Sequence, residues 1–253
     1  MTLSAALRRA DCLDFLGDLE DDSVDLVLVD PPYHIGYDDW DNQWASESDY
    51  LEWCREWTHE AARSLKPQGM LCVWGTLKTD TFLRYKLQVL NEQWPMKSQN
   101  EIIWSYNWGG RTKKNFARKH ELVWCYSKGT THHFDADAVR IPRKQKINIR
   151  TGMPFEKGTV PTCVWEKNNH TTSDEYCSWH KTQKPVALLE RIIKAYTKPG
   201  DTVLDFFSGS GSTCIAAINA GRNFVGCEIN EEYVERSETR INGLTTREFA
   251  WHR

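Results

Sequence analysis

The sequence predicts an α/β fold built on a mostly parallel sheet, and three features of its 253 residues support this. Short apolar runs such as 24–29 have no polar face, which is typical of strands covered by helices on both sides. Segments with helical spacing of apolar residues, such as 50–65, alternate with these runs. Near the C-terminus, a strand, a glycine-rich turn, a helix and another strand follow one another in 202–228. We therefore expect one large domain.

The first half of the chain contributes three helices and four strands to this prediction. Residues 11–19 are predicted as a short helix before strand 24–29. The helix 50–65 carries Leu51, Cys54, Trp57 and Ala61 on one face and ends at the Pro67 turn. After it we expect, in order, strand 70–74, helix 79–91, and strands 101–106 and 121–126.

The second half begins with an irregular insert. Between 128 and 179 the periodicity is lost, and scattered prolines and basic residues indicate a segment without long helices or strands. Regular structure returns with a predicted helix at 185–196. The final unit comprises strand 202–206, helix 212–220 and strand 223–228.

The charge of the chain is unevenly distributed. The formal net charge is −3, yet 111–150 contains eleven Lys and Arg against three acidic residues, about +8, which leaves about −11 for the remainder. This asymmetry predicts a surface that faces a polyanion.

Eight cysteines without a CxxC pair argue against a disulfide framework, and no apolar run is long enough for a signal peptide or a membrane span. We expect a cytoplasmic protein with no membrane partner. A zinc site formed by Cys163, His170, Cys177 and His180 is an alternative, although the spacing matches no standard zinc finger. We predict no metal.

The first candidate site is the tetrapeptide Asp30-Pro31-Pro32-Tyr33, which ends the apolar strand 24–29. Neither proline can donate a hydrogen bond within the sheet, so the chain must leave the strand here. In open α/β sheets, ligands bind at the carboxyl ends of the strands. The carboxylate and the aromatic ring are therefore expected to line a binding crevice.

The second candidate site is the glycine-rich turn 208–211 with Glu228 about twenty residues further on. A carboxylate at that distance suits the ribose hydroxyls of an adenosine-type cofactor. Binding of a dinucleotide is weakly supported, because Cys214 stands where a third glycine is usual. Asp30, Asp205 and Glu228 suit the cationic sulfonium of S-adenosyl-L-methionine better.

Taken together, DPPY, GSG and HKTQKP resemble the motifs of the DNA amino-methyltransferases, over nearly the whole chain. The catalytic tetrapeptide precedes the glycine turn, an order that resembles the permuted beta class. The resemblance implies a Rossmann-like methyltransferase sheet with circularly permuted motifs. It also implies a catalytic half at 1–128, a target-recognition insert at 129–178 and a cofactor-binding half at 179–253.

The same resemblance assigns roles to individual residues. The catalytic residues are Asp30, Pro31, Pro32 and Tyr33. The cofactor site comprises Asp11, Cys12, Asp30, Thr182, Lys184, Asp205, Phe206, Phe207, Ser208, Gly209, Ser210, Gly211, Glu228 and Asn230, and Gln183 lies in the motif at the methionine end. The expected DNA contacts are Trp108, Arg111, Lys113, Lys114, Arg140, Arg143, Lys144 and Lys146. Lys181 and Phe206 replace residues that are often proline in the family.

The implied function is site-specific transfer of a methyl group from S-adenosyl-L-methionine to N6 of an adenine flipped out of double-stranded DNA. Cytosine-N4 methylation is the nearest alternative, although family members that act on cytosine more often begin the tetrapeptide with serine. RNA or protein amide methylation and a non-catalytic DNA-binding subunit are further alternatives. The resemblance also implies a bacterial, archaeal or phage origin, and it allows a homodimer and a separate cognate restriction endonuclease as partners.

Overall fold

A computed structural model describes residues 3–77, 80–93, 95–107, 109–166, 175–244 and 250–251. Its helices are α1 Cys12–Gly17, α2 Glu47–Ser64, α3 Asp80–Tyr85, α4 Val186–Tyr196, α5 Ser212–Asn219 and α6 Glu231–Leu244. Its strands are β1 Ser4–Arg9, β2 Val24–Val29, β3 Leu65–Gly75, β4 Met96–Ser105, β5 His120–Lys128, β6 Val164–Glu166, β7 Thr202–Asp205, β8 Asn223–Glu228 and β9 Ala250–Trp251.

The strands that the structure describes form one sheet in the order β6-β4-β5-β3-β2-β7-β8-β1-β9. All neighbouring pairs are parallel except β3 with β5 and β4 with β5. The predicted α/β class is thus confirmed. Because β2 and β7 are direct neighbours, the tetrapeptide and the glycine turn leave the sheet side by side.

Two apolar layers cover the sheet. On one face, α1, α2 and α3 contribute buried side chains such as Phe15, Trp57 and Phe82 to a core with β2 and β3. On the other face, α4 and α5 pack together and contribute Ile192 and Ile215 to a second core. These layers exclude water from the sheet, so ligands have access only at the strand ends.

Several elements differ from the sequence prediction. The strand β1 was not predicted because only Ala5 and Leu7 of its SAALRR sequence are buried. It nevertheless pairs with β8, at the far side of the sheet. Helix α6 was also missed. Helix α2 begins earlier than expected because the Ser46 hydroxyl accepts the Asp49 N–H, an N-cap. The predicted helix 79–91 divides into α3 and a π-helical turn, Lys86–Leu90.

The predicted insert is largely irregular where the structure describes it. Two isolated bridges, Ile141 with Thr159 and Ile147 with Pro154, fold it back on itself. The short strand β6 then adds to the sheet edge beside β4. Our division at 128 and 178 stays a prediction. No helix in the described part of the chain is both long and apolar enough to cross a membrane.

Candidate active site

A cavity of about 390 Å³ opens at the carboxyl ends of β2 and β7. Its size is in the range of small-molecule sites. Both candidate sites from the sequence line it, although β2 and β7 lie far apart in the chain. The predicted residues along its wall are Asp11, Cys12, Asp30, Pro31, Pro32, Tyr33, Thr182, Lys184, Asp205, Phe206, Phe207, Ser208, Gly209, Ser210, Glu228 and Asn230.

Glu228 organises the glycine-turn side of the cavity. One carboxylate oxygen accepts the Gly209 N–H at 2.8 Å, and the other accepts the Asn230 N–H at 3.0 Å. Each oxygen keeps a further lone pair for a ligand hydroxyl. Burial raises the pKa of Glu228 above its ordinary value. The carboxylate is thus fixed by the backbone where the sequence predicts a ribose.

Asp205, at the end of β7, is a buried carboxyl group of the site. Burial raises its pKa to about 7, against the opposing effects of the Thr213 hydroxyl and the Phe207 N–H, and the nearby negative charges of Asp30 and Glu228 raise it further. A cationic ligand would stabilise all three carboxylates together. These three carboxylates therefore fit the sulfonium and ammonium groups of S-adenosyl-L-methionine.

The turn itself requires glycine at two positions for different reasons. Gly209 has φ +45°, and a Cβ there would lie 2.5 Å from the His180 ring. Gly211 has φ +73°, and a Cβ would meet Ile241 of α6 at 2.9 Å. Gly211 thus packs against α6 and is not among the residues that line the cavity, and its predicted contact with the cofactor stays a prediction.

His180 packs closely against this turn. Burial lowers its pKa to about 4, although Asp30 acts in the opposite direction. The imidazole is therefore neutral near pH 7, and its ring lies 5.1 Å from the Tyr233 ring. A neutral ring adds no positive charge next to the proposed cation site.

At the other end of the cavity, the hydrogen bonds of the tetrapeptide centre on Asp30. The Tyr33 hydroxyl donates to Asp30 Oδ1 at 2.5 Å, and Lys184 Nζ donates to Asp30 Oδ2 at 2.5 Å. Burial, together with the charges of Asp30 and Glu121, raises the pKa of Tyr33 well above its ordinary value, so the phenol stays protonated. The carboxylate is held from both sides, with lone pairs left for a third donor.

Asp41, which the sequence analysis missed, shapes the loop after the tetrapeptide. Its carboxylate is 1% exposed and accepts four backbone N–H groups. Oδ1 accepts from Tyr33 at 2.6 Å and His34 at 2.8 Å, while Oδ2 accepts from Ile35 at 2.8 Å and Tyr37 at 3.0 Å. His34 has φ +52°, a conformation that these bonds help to hold. One carboxylate thus replaces the regular hydrogen bonds that the loop lacks.

Two residues of the HKTQKP motif, Gln183 and Lys184, line the cavity and also bond to other parts of the chain. Gln183 accepts the Cys177 N–H at 2.9 Å and donates to the Glu175 carbonyl at 2.7 Å, so it anchors the preceding segment. Lys184 pairs with the Asp30 carboxylate. Glu121, on β5, lies 3.2 Å from the same ammonium and was not predicted.

The predicted DNA contacts fall into two groups. Arg111, Lys113, Lys114, Lys144 and Lys146 are exposed, and Trp108 lies outside the described residues. The loop 106–119 joins β4 to β5 at the cavity side of the sheet.

The two remaining arginines in the predicted set make contacts within the insert. Arg140 pairs with Asp137 at 2.5 Å and donates to the Gly158 carbonyl at 2.8 Å. Arg143 lies 3.9 Å from the centre of the Phe155 ring. These contacts hold both side chains against the insert, and their predicted contact with DNA stays a prediction.

Of the alternative zinc site, the three members that the structure describes, Cys163, Cys177 and His180, do not form a cluster of metal ligands. Cys177 bonds to Gln183, His180 packs on the glycine turn, and His170 lies outside the described residues. Among the residues that the structure describes, no three His, Cys, Asp or Glu side chains are placed to share a metal ion.

Comparison with known proteins decides the family. Residues 24–239 match the sequence profile of a family described as DNA methylase. The chain belongs to this DNA methylase family. The family and the cavity confirm S-adenosyl-L-methionine as the cofactor, and the chain is an S-adenosyl-L-methionine-dependent DNA methyltransferase.

Individual relatives cover nearly the whole methylase. The chain is 32% identical to the Type II methyltransferase M1.MboII of Moraxella bovis, over 94% of this chain and 96% of that protein. It is 35% identical to the DNA adenine methyltransferase YhdJ of Escherichia coli, over 92% and 81%. The fold matches that of the cytosine-N4-specific PvuII DNA methyltransferase with a TM-score of 0.75 at 20% identity, over 95% and 87% of the two chains.

We predict that Glu228→Ala in this methylase weakens binding of S-adenosyl-L-methionine by about 1.5–3 kcal/mol, because a charge-assisted hydrogen bond is lost. Isothermal titration calorimetry measures the change. Glu235→Gln, on the exposed surface of α6, serves as the control. An unchanged affinity for Glu228→Ala would exclude this carboxylate from the cofactor site.

Proposed function

We propose that this methylase is a site-specific DNA adenine-N6 methyltransferase that acts on an adenine flipped out of the duplex. The observation that carries the proposal is the Asp30 carboxylate, held at the end of β2 in the same cavity as Glu228. The tetrapeptide begins with aspartate, and one relative is named as an adenine methyltransferase.

The chemistry explains why a carboxylate follows a buried strand. The lone pair of an exocyclic amine is delocalised into the ring, so the nitrogen becomes nucleophilic only when hydrogen-bond acceptors draw its hydrogens out of the ring plane. The Asp30 carboxylate and the Pro31 carbonyl are the proposed acceptors. The Tyr50 hydroxyl donates to the Pro32 carbonyl at 2.8 Å and fixes the turn that presents them. Positioning then supplies much of the rate.

The same cavity would hold the cofactor next to these acceptors. We assign Glu228 to the ribose, Asp11 and Cys12 to the adenine, and Asp205 to the cationic end; all four line this cavity. When bound there, S-adenosyl-L-methionine supplies an electrophilic methyl group on a positively charged sulfur. Asp30, Pro31 and Tyr33 orient the amine toward it.

A base paired within the duplex cannot reach Asp30, so we propose base flipping. The loop 106–119 leaves β4 beside Trp104, and Trp104 pairs in register with Glu121, both in the cavity wall. Phe116 in this loop is fully exposed among basic side chains. An exposed ring in a basic loop is suited to stacking on bases while its neighbours contact phosphates.

The product nucleoside tests the choice of base. DNA methylated by the purified protein is digested to deoxynucleosides, and mass spectrometry separates N6-methyl-2′-deoxyadenosine from N4-methyl-2′-deoxycytidine. We expect only the adenine product. The similar fold of a cytosine-N4 enzyme makes cytosine the alternative, because the two amines need the same acceptors. N4-methylcytosine alone would overturn the proposal.

We predict that exposed lysines contact phosphates. Replacing Lys113, Lys114, Lys144 or Lys146 by alanine should weaken binding to all DNA sequences alike and reduce the log–log salt slope by about 0.9 per contact. Fluorescence anisotropy across a salt series measures the slope. Lys198→Ala is the control. This residue is exposed and precedes β7, so it lies at the amino ends of the strands, away from the cavity at their carboxyl ends. Constant slopes in the four variants would remove these lysines from the DNA surface.

We also propose a cellular location, partners and a division into domains for this enzyme. All eight cysteines are unpaired and seven are buried, as expected in a reducing cytoplasm. The relative M1.MboII is named as a Type II methyltransferase, which supports a role beside a separate restriction endonuclease. A homodimer, a catalytic half at 1–128, a recognition insert at 129–178 and a cofactor half at 179–253 complete the proposal.

A further inference from the structure

Lys184 is the most deeply buried lysine that the structure describes in the site. Its side chain is 8% exposed, and its ammonium lies 2.5 Å from Asp30 Oδ2 and 3.2 Å from Glu121 Oε2. Burial alone would lower its pKa, but the two carboxylates raise it above its ordinary value. The lysine is therefore charged and bridges two acids.

Glu121 supplies the second acid from a different strand, β5. It lies at the start of β5, opposite Trp104 of β4, and its side chain is 14% exposed. Both residues line the cavity. Three separate parts of the chain thus meet at one point of the cavity wall: Asp30 at the end of β2, Glu121 on β5, and Lys184 just before α4. We refer to these three residues as the acid–lysine triad.

The triad carries a net charge of −1, which matches the charge that moves during the reaction. The amine nitrogen forms the new bond to the methyl carbon with its lone pair, and the carbon–sulfur bond breaks with its electrons passing to sulfur. One positive charge therefore moves from sulfur to nitrogen, until the nitrogen loses a proton to water. A fixed net charge of −1 nearby stabilises that cation throughout.

We propose that Lys184 and Glu121 are positioning residues for methyl transfer, and that Lys184 is not a ligand of the cofactor. Lys184 pairs with the Asp30 carboxylate and fixes the direction of its acceptor oxygens. Glu121 balances the lysine, so that the net charge beside the target amine is −1 instead of 0. The inference rests on the methyltransferase activity of the family and is independent of the choice between adenine and cytosine.

Removal of Lys184 would leave two carboxylates close together without a cation. Like charges at short range are not both ionised readily, so one acid takes up a proton as the pH falls and the acceptor is lost. The other groups near Asp30 are Tyr33, which stays protonated, His180, with a pKa lowered to about 4, and Asp205, with a pKa raised to about 7. Asp205 is present in every variant, so its effect on the rate cancels in the ratio of variant to wild-type rate. The pH dependence of that ratio therefore reports on the acid–lysine triad alone.

The experiment compares Lys184→Met, Glu121→Gln and the double variant in the full chain. Single-turnover methylation of DNA is measured from pH 5.5 to 9, and calorimetry gives the affinity for S-adenosyl-L-methionine. For Lys184→Met we expect affinity within twofold of wild type and a rate at least 100-fold lower at pH 6. The rate ratio should then rise with pH. The double variant should lose this pH dependence and be more active at pH 6 than Lys184→Met.

Lys194→Met is the matched control, because this lysine also pairs with a glutamate but lies on the outer side of α4. Lys184→Arg keeps the charge and covers the case in which methionine disturbs folding; its rate ratio should not vary with pH.

Three outcomes would contradict parts of the proposal. If Lys184→Met bound the cofactor more weakly and its rate ratio did not vary with pH, the inference would be overturned and Lys184 would be a cofactor ligand. Additive effects in the double variant would exclude Glu121. Formation of N4-methylcytosine would overturn the adenine proposal and leave this inference intact.

Discussion

Asp30→Asn is expected to lower the single-turnover rate of methylation by about 10³-fold, while the protein stays folded. The substitution keeps the shape of the side chain but replaces one acceptor oxygen by a donor, so the proposed contact with the target amine is lost in the transition state. Pairing with Lys184 is weakened as well. Rapid-quench assays with labelled cofactor measure the rate, and thermal unfolding measures stability.

Asp25→Asn is the matched control for this substitution. Asp25 lies on the same strand, β2, and is ion-paired with Lys66 at 2.8 Å, but it lies near the other end of the strand. We expect Asp25→Asn to lose some stability and keep its methylation rate. If both variants lost activity in proportion to their loss of stability, Asp30 would have only a structural role.

Much of the fold follows from local sequence because each buried element carries its own pattern. The apolar run of β2, the one-sided helix α2 and the final strand–turn–helix–strand unit each match their predicted type. Elements whose burial depends on partners elsewhere were missed. The strand β1 buries only the side chains of Ala5 and Leu7, so it has no strong apolar pattern. It forms a strand because it pairs with β8, which lies over 200 residues away in the chain.

The candidate site shows the same limit. Asp30, Gly209 and Glu228 could be found because each lies in a short motif at the end of a strand. Asp41 and Glu121 could not, because no local pattern distinguishes them from other acids. Asp41 is one of four aspartates within 38–49, and only the folded loop shows that its carboxylate accepts four N–H groups. Glu121 acquires its role from Lys184, a contact across 63 residues of chain.

Asp41→Ala is expected to release the loop 33–41 without unfolding the sheet. Four N–H groups lose a charged acceptor, which should lower the local stability of the loop by roughly 3 kcal/mol or more. Ile35, Tyr37 and Trp40 of this loop line the cavity. Affinity for S-adenosyl-L-methionine and the methylation rate should therefore both fall by at least tenfold.

Amide hydrogen exchange distinguishes this local effect from general destabilisation. The amides of Tyr33, His34, Ile35 and Tyr37 should exchange at least about 100-fold faster in Asp41→Ala, since 1.4 kcal/mol corresponds to a factor of ten. Amides of β3 should be unaffected. Asp39 is exposed and lies with Asp41 in a 3₁₀ turn, Asp39–Asp41, so Asp39→Ala should change none of these rates. If the four amides kept their protection, the loop would be held by its aromatic packing, and the Asp41 carboxylate would not be what shapes the entrance to the site.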